Sequence, residues 1–184
     1  MKESILEVKN LHFAYDEHHT VLDGISLSVF AGERIAILGS NGAGKSTFFL
    51  NLNGVLTPAE GEISYRGTKI TRKTLKKLRQ HIGIVFQDAD NQIIASSVLA
   101  EVSFGPMNLK LPRSEVKKRV NTALNYMNIS QFKDRPPHYL SGGEKKRVSI
   151  ADIIAMKSEI IIFDEPTASL DPLNAAMLEE VLEK

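Results

Sequence analysis

The 184-residue sequence contains no cysteine, which excludes disulfides and thiolate metal centres and suits a reducing compartment. No apolar run approaches the ~20 residues that span a bilayer, so any role at a membrane has to run through a partner. The stretch Met1 to Phe13 alternates charged and apolar residues and has no signal-peptide core. An excess of either charge is also missing: Lys plus Arg number 23 against 22 Asp plus Glu, a net charge of +1. That balance leaves no electrostatic footprint for a nucleic acid. Internal repeats, low-complexity tracts and sustained heptads are absent, which removes repeat arrays and long coiled coils. What is left, 42% hydrophobic and 24% charged, is the composition of a globular chain long enough for one domain with a sizeable core.

Ile5–Val8, Leu27–Phe30 and Glu62–Tyr65 read as short, half-polar strands of an antiparallel edge sheet. Arg34–Leu38 (RIAIL), Ile82–Phe86 (IGIVF) and Ile160–Phe163 (IIIF) are apolar on both faces, as strands of a buried parallel sheet must be. The first runs into a helix after Gly44, and the alternation implies an α/β layer structure. A mostly helical insertion, about 88–156, separates the last two of these strands. Within it, Ser114 is expected to cap a helix carrying Val116, Val120, Leu124 and Met127 on one face.

Three segments carry chemistry. Gly39-Ser40-Asn41-Gly42-Ala43-Gly44-Lys45-Ser46-Thr47 satisfies the phosphate-loop pattern G-x-x-x-x-G-K-[ST], between a strand and a helix where that pattern belongs. Its small residues let backbone N–H groups curl around phosphates, and the helix N-terminus adds positive potential. Lys45 would reach the β- and γ-phosphates and Ser46 would place its hydroxyl on Mg²⁺. In Ile160–Pro166 (IIIFDEP), an apolar strand delivers Asp164 and Glu165 to the carboxyl edge of the sheet, where ligands of open α/β folds sit. Asp164 is expected to hold the Mg²⁺ shell and Glu165 to polarise a water toward the γ-phosphate. The third, Leu140–Arg147 (LSGGEKKR), opens a cation-rich helix with a hydroxyl and two glycines.

Together these three resemble the phosphate loop, acidic strand end and signature of ATP-binding cassette ATPases. Thr167–Asp171 is similar to that family's D-loop (Ser169, Leu170, Asp171), Gln87 to its Q-loop glutamine, and Tyr15 to its adenine-stacking aromatic. The resemblance implies a phosphate-loop ATPase core: a parallel sheet, an N-terminal antiparallel β subdomain and an inserted helical subdomain, within one domain over 1–184. It implies ATP and Mg²⁺ as ligands, with Gln87 completing the Mg²⁺ set of Ser46 and Asp164 and acting beside Glu165 in catalysis. It also implies a head-to-tail pair of cassettes, identical or different. In such a pair Ser141, Gly142, Gly143 and Glu144 face the nucleotide held by the partner's phosphate loop. A small-molecule kinase shares the phosphate loop and would not need the other two motifs. A cassette ATPase without a transporter usually carries two cassettes or a coiled-coil insertion.

Phe86–Pro112, with FQDADNQ and Phe104-Gly105-Pro106, resembles the ATPase subunits of energy-coupling factor importers, including cobalt and nickel importers. That likeness implies integral membrane partner subunits, a peripheral place on the cytoplasmic face of the membrane, and uptake of a transition-metal ion or a vitamin. The alternative is a cassette of another transporter, with Phe104–Pro106 only a turn between two helices. The sequence departs from the family in two places. Family members carry a γ-phosphate-contacting histidine after the strand that follows FDEP, whereas all five histidines here precede Asp164. We therefore expect a portion of a longer protein, lacking a central strand. Asp152 stands where the family has a small residue, and has to face solvent or find a cation.

Overall fold

The structure, a computed structural model, describes residues 4–168 and 170–183, and of 173, 174, 177 and 181–183 the backbone alone. The chain falls into two compact units, 1–79 and 80–184.

The first unit is built on an antiparallel sheet. β1 (Ser4–Ala14), β2 (Thr20–Phe30), β3 (Glu60–Tyr65) and β4 (Thr68–Lys69) lie in the order β2-β1-β3-β4. The three expected edge strands are all present and are longer than their apolar cores suggested. In β1 the buried residues are Leu6, Val8, Leu11 and Phe13, so the two-residue alternation changes phase between Val8 and Leu11. A bulge there, with Asn10 at φ 47°, absorbs the extra residue and keeps both halves facing the core. The helix after the phosphate loop, α1 (Lys45–Leu52), buries Thr47, Phe48, Asn51 and Leu52. A short α2 (Leu75–Leu78) follows β4.

Arg34–Leu38 is not a strand. The run is irregular backbone, with Leu38 90% and Ile35 39% exposed. A strand apolar on both faces is stabilised only when neighbours pair both its edges, and among the described residues this run has no ladder partner.

The second unit pairs β5 (Ile82–Val85) and β6 (Ile160–Phe163) in parallel, Ile82 opposite Ile160 through Val85 opposite Phe163. Three helices pack with them: α3 (Val98–Asn108), α4 (Arg113–Tyr126) and α5 (Gly142–Met156). A last helix, α6 (Pro172–Glu183), follows β6. The core joins Val85, Val98, Val102, Val120, Leu124, Met127 and Val148, so the predicted stripe on α4 is the stripe that is buried. Its cap is not the predicted one. α4 starts at Arg113 after Pro112 and has no side-chain cap; proline's fixed φ pre-orients the first turn instead.

Phe104–Pro106 is not a turn between helices either, but part of α3. Pro106 sits in the last turn of that helix, where it forgoes one bond to the carbonyl four residues back and leaves only the final residues to distort. Gly105 is there for space, because a Cβ would fall 2.5 Å from Met156 Sδ on α5. The leading N–H groups of α3 are satisfied by the returning chain: Val98 donates to Arg135 O at 3.1 Å and Leu99 to Lys133 O at 2.7 Å.

Candidate functional site

In the first unit, the phosphate loop closes on itself. Lys45 Nζ donates to the carbonyls of Gly39 at 2.9 Å and Ser40 at 3.1 Å, and Ala43 N donates to Ser40 O at 3.1 Å. Gly42 and Gly44 both have left-handed backbone, φ 82° and 86°. Gly44 has a second constraint, since a Cβ would lie 2.9 Å from Val21 Cγ1 and 3.1 Å from Val21 O. No other residue fits that N-cap without displacing β2. Gly39, Ser40, Asn41, Gly42, Ala43 and Ser46 are exposed, while Thr47 is buried. Thr47 Oγ1 lies 3.1 Å from Tyr15 Oη. Tyr15 packs edge-on against Phe13 with ring centroids 5.0 Å apart, yet remains 62% exposed. An aromatic ring is thus fixed beside the loop with a face free for stacking, and its tie to Thr47 was not expected from the sequence.

In the second unit, β5 and β6 end together. Asp164 N donates to Val85 O at 3.0 Å, and the Asp164 residue is 6% exposed. The next residue, Glu165, is exposed and takes φ 45°, a left-handed conformation that costs a non-glycine residue on the order of 1 kcal/mol or more. The strained turn reverses the chain, Ala168 N donating to Glu165 O at 3.0 Å. Gln87 Nε2 donates to Glu165 Oε2 at 3.1 Å, so the two residues expected to share the catalytic work, 78 positions apart in the chain, touch.

The signature heads α5. Ser141 is its N-cap in a complete capping box: Glu144 N donates to Ser141 Oγ at 3.3 Å, and Ser141 N donates to Glu144 Oε2 at 2.7 Å. Ser141 Oγ also donates to Glu144 Oε2 at 2.9 Å. Ser141 and Gly142 are exposed and Gly143 is buried. Of the D-loop residues, Leu170 packs against the core, Asp171 is exposed, and Ser169 lies outside the described residues.

Sequence reasoning missed the residues that hold the segment 86–92. Gln92 clamps the end of β5, its Oε1 accepting from Phe86 N at 3.2 Å and its Nε2 donating to Ile84 O at 3.4 Å. Asp88 Oδ1 accepts from Asp90 N at 2.9 Å, and Lys145 Nζ reaches Asp90 Oδ1 at 2.6 Å. Lys146, 2% exposed, donates to the carbonyls of Phe86 at 2.7 Å and Gln87 at 2.6 Å. In the sequence the two adjacent lysines after the signature read only as part of a cation-rich helix. That one of them points inward is legible only in the apolar spacing of Lys146 with Ile150 and Ile153, both buried.

Asp152 meets neither sequence expectation. Its Oδ1 is buried without a hydrogen-bond partner among the described residues. Burial first, then the Glu101 carboxylate, raises its carboxyl to about 7.

A family model described as ABC transporter matches residues 22–168. The chain is 49% identical over 180 residues to the energy-coupling factor transporter ATP-binding protein EcfA of Methanocaldococcus jannaschii, covering 97% of this chain and 64% of that protein. Against the protein of the same description from Methanothermobacter thermautotrophicus the identity is 48%, covering 97% and 58%. The chain thus spans less than two thirds of the length of these relatives. The solved structure of cbiO1 from Clostridium perfringens, described as part of the ABC transporter complex cbiONQ, superposes with TM-score 0.87 at 46% identity, covering 98% of this chain and 73% of that one. A dimeric cassette in a post-hydrolysis state bound to ADP and Pi superposes with TM-score 0.84 at 30% identity, covering 97% and 82%.

Proposed function

The chain belongs to the ABC transporter family, and from that membership we propose that it binds MgATP and hydrolyses it to drive a membrane importer of the energy-coupling factor type. The observation that carries the hydrolytic reading is the hydrogen bond from Gln87 to Glu165. A carboxylate on a strained, exposed turn, oriented by an amide that keeps its own carbonyl oxygen for another partner, is built as a base.

The residues present fit the ligands. Backbone N–H groups of the loop Gly39–Gly44 and the N-terminus of α1 would form an anion cradle, with Ala43 N–H already held by Ser40 O. Lys45, which donates to two loop carbonyls, would turn to a phosphate oxygen when nucleotide binds. The family resemblance assigns Ser46, Asp164 and Gln87 to Mg²⁺, and each carries a hard oxygen donor of the kind that ion takes. Bound Mg²⁺ would neutralise charge on the phosphates. Tyr15 would stack on the base, Glu165 would take a proton from the attacking water, and Gln87 would orient both. Ser141, Gly142, Gly143 and Glu144, with Asp171, would complete the site of a second cassette.

The names of the relatives and the stapled segment 86–92 support the energy-coupling factor branch, and with it uptake of a cobalt or nickel ion or a vitamin through membrane subunits at the cytoplasmic face. Titration of the Lys45→Ala protein with MgATP tests the ligand, and near-normal affinity would exclude this loop as the phosphate site. Uptake of labelled cobalt, nickel and vitamins by cells carrying Glu165→Gln tests the branch. Loss of one of these uptakes is expected; retention of all of them would remove the importer assignment.

A further inference from the structure

α5 carries the signature at its head and, one turn later, reaches the opposite motif of its own chain. Lys146 is buried, and its ammonium spends its hydrogen bonds on two consecutive carbonyls, Phe86 and Gln87. The Phe86 peptide is gripped from both sides, since its N–H is held by Gln92. Lys145 grips the same segment a second time through Asp90. The backbone of Gln87 is therefore tied to α5, and its side chain ends on Glu165. Desolvation pulls the Lys146 ammonium below its usual range, while Asp88 and Asp164 oppose this.

We propose that Lys146 is a positioning residue for hydrolysis: through the carbonyls of Phe86 and Gln87 it fixes the side chain of Gln87, and hence Glu165, to the helix that bears the signature. This rests on the reading of Glu165 as the base. A cassette whose signature engages a neighbour's nucleotide thereby transmits that engagement along a rigid helix to its own hydrolytic pair.

The test compares Lys146→Met, Lys146→Gln, Gln87→Ala, Glu165→Gln and the double variant Lys146→Met/Gln87→Ala in steady-state hydrolysis. Displacing a reacting group by about an ångström costs ~10²-fold, so Lys146→Met should lower kcat by tens of fold or more while KM for ATP stays within about threefold. Lys146→Gln, which retains one donor for the carbonyls, should recover part of the loss. The double variant should be no slower than Gln87→Ala alone, because both act through one group. A merely structural lysine would give additive losses, or an effect seen in unfolding temperature with kcat per folded molecule unchanged; either overturns the proposal. If Lys146→Met does not fold, Lys146→Gln carries the same comparison with Gln87→Ala. Normal hydrolysis by Glu165→Gln would sink the function reading itself, whereas its loss beside a normal Lys146→Met sinks only the role of the lysine.

Discussion

Asp152 is the residue whose environment contradicts its chemistry most directly. Its folded carboxyl is raised to about 7 from 3.8, so the native state binds this proton more tightly than the unfolded chain does. Stability from this group is full below about pH 4, is lost as pH rises toward 7, and stays lost above that. The whole gap corresponds to about 4 kcal/mol as an upper bound. Asp152→Ala should therefore unfold at higher denaturant than the parent at pH 8, with the difference shrinking as pH falls to 5. A difference independent of pH in urea titrations would mean that the native carboxyl stays ionised. Tyr15 separates in a similar way, because its ring and its hydroxyl do different work. Tyr15→Phe removes only the contact with Thr47, so MgATP affinity should change by less than about threefold. Tyr15→Ala removes the stacking face, for which ~1–3 kcal/mol, or roughly 5- to 150-fold in affinity, is expected. Equal effects of the two variants in a binding titration would place the base elsewhere.

Among the elements, α5 holds the segment 86–92, and its capping box sets what its first residue can be. Ser141→Ala removes the cap, a loss of about 1 kcal/mol, visible as a modest fall in unfolding temperature. Ser141→Arg adds bulk at an exposed position while the chain's own phosphate loop is untouched. MgATP binding should persist and hydrolysis should stop; retention of hydrolysis would show that the signature faces no second nucleotide. Fixed spacing made the phosphate loop, the strand ending in Asp164-Glu165 and the signature readable in the sequence, because each needs particular residue types at adjacent positions. The pairing of Gln87 with Glu165 was readable only through family resemblance. What escaped were interactions that depend on a partner remote in sequence. Arg34–Leu38 has the composition of a buried strand and lacks neighbours that would make it one. Gly105 and Pro106 look like turn residues and prove to be part of α3, where Met156 leaves no room for a Cβ. Lys146 reads in the sequence only as one cation of a charged helix, and it is buried.

For the whole molecule, the proposed pairing of two cassettes is what hydrolysis would dissolve and its arrest would preserve. Glu165→Gln keeps the shape of the side chain and its contact with Gln87 but removes the charge that takes the proton, which typically costs ~10²–10⁴-fold in rate. Asp164 and Lys45 are unaffected, so MgATP binding should remain close to the parent's. An ATP-dependent dimer should then accumulate on size-exclusion chromatography, and a monomer at saturating MgATP would contradict the two-cassette site.

The exposed run Arg34–Leu38 also bears on how these molecules behave toward one another at high concentration. Leu38 and Ile35 present apolar surface on irregular backbone whose amides are free of any ladder, and a net charge of +1 supplies almost no long-range repulsion to keep copies apart. In colloidal terms the pair potential is short-ranged and attractive, with no electrostatic barrier near the isoelectric point of about 7.9. Osmotic second virial coefficients should be negative around pH 8 and rise as pH is lowered and the net charge grows. Leu38→Ser should make those coefficients less negative at pH 8, and an unchanged value would show that this strip does not set the attraction.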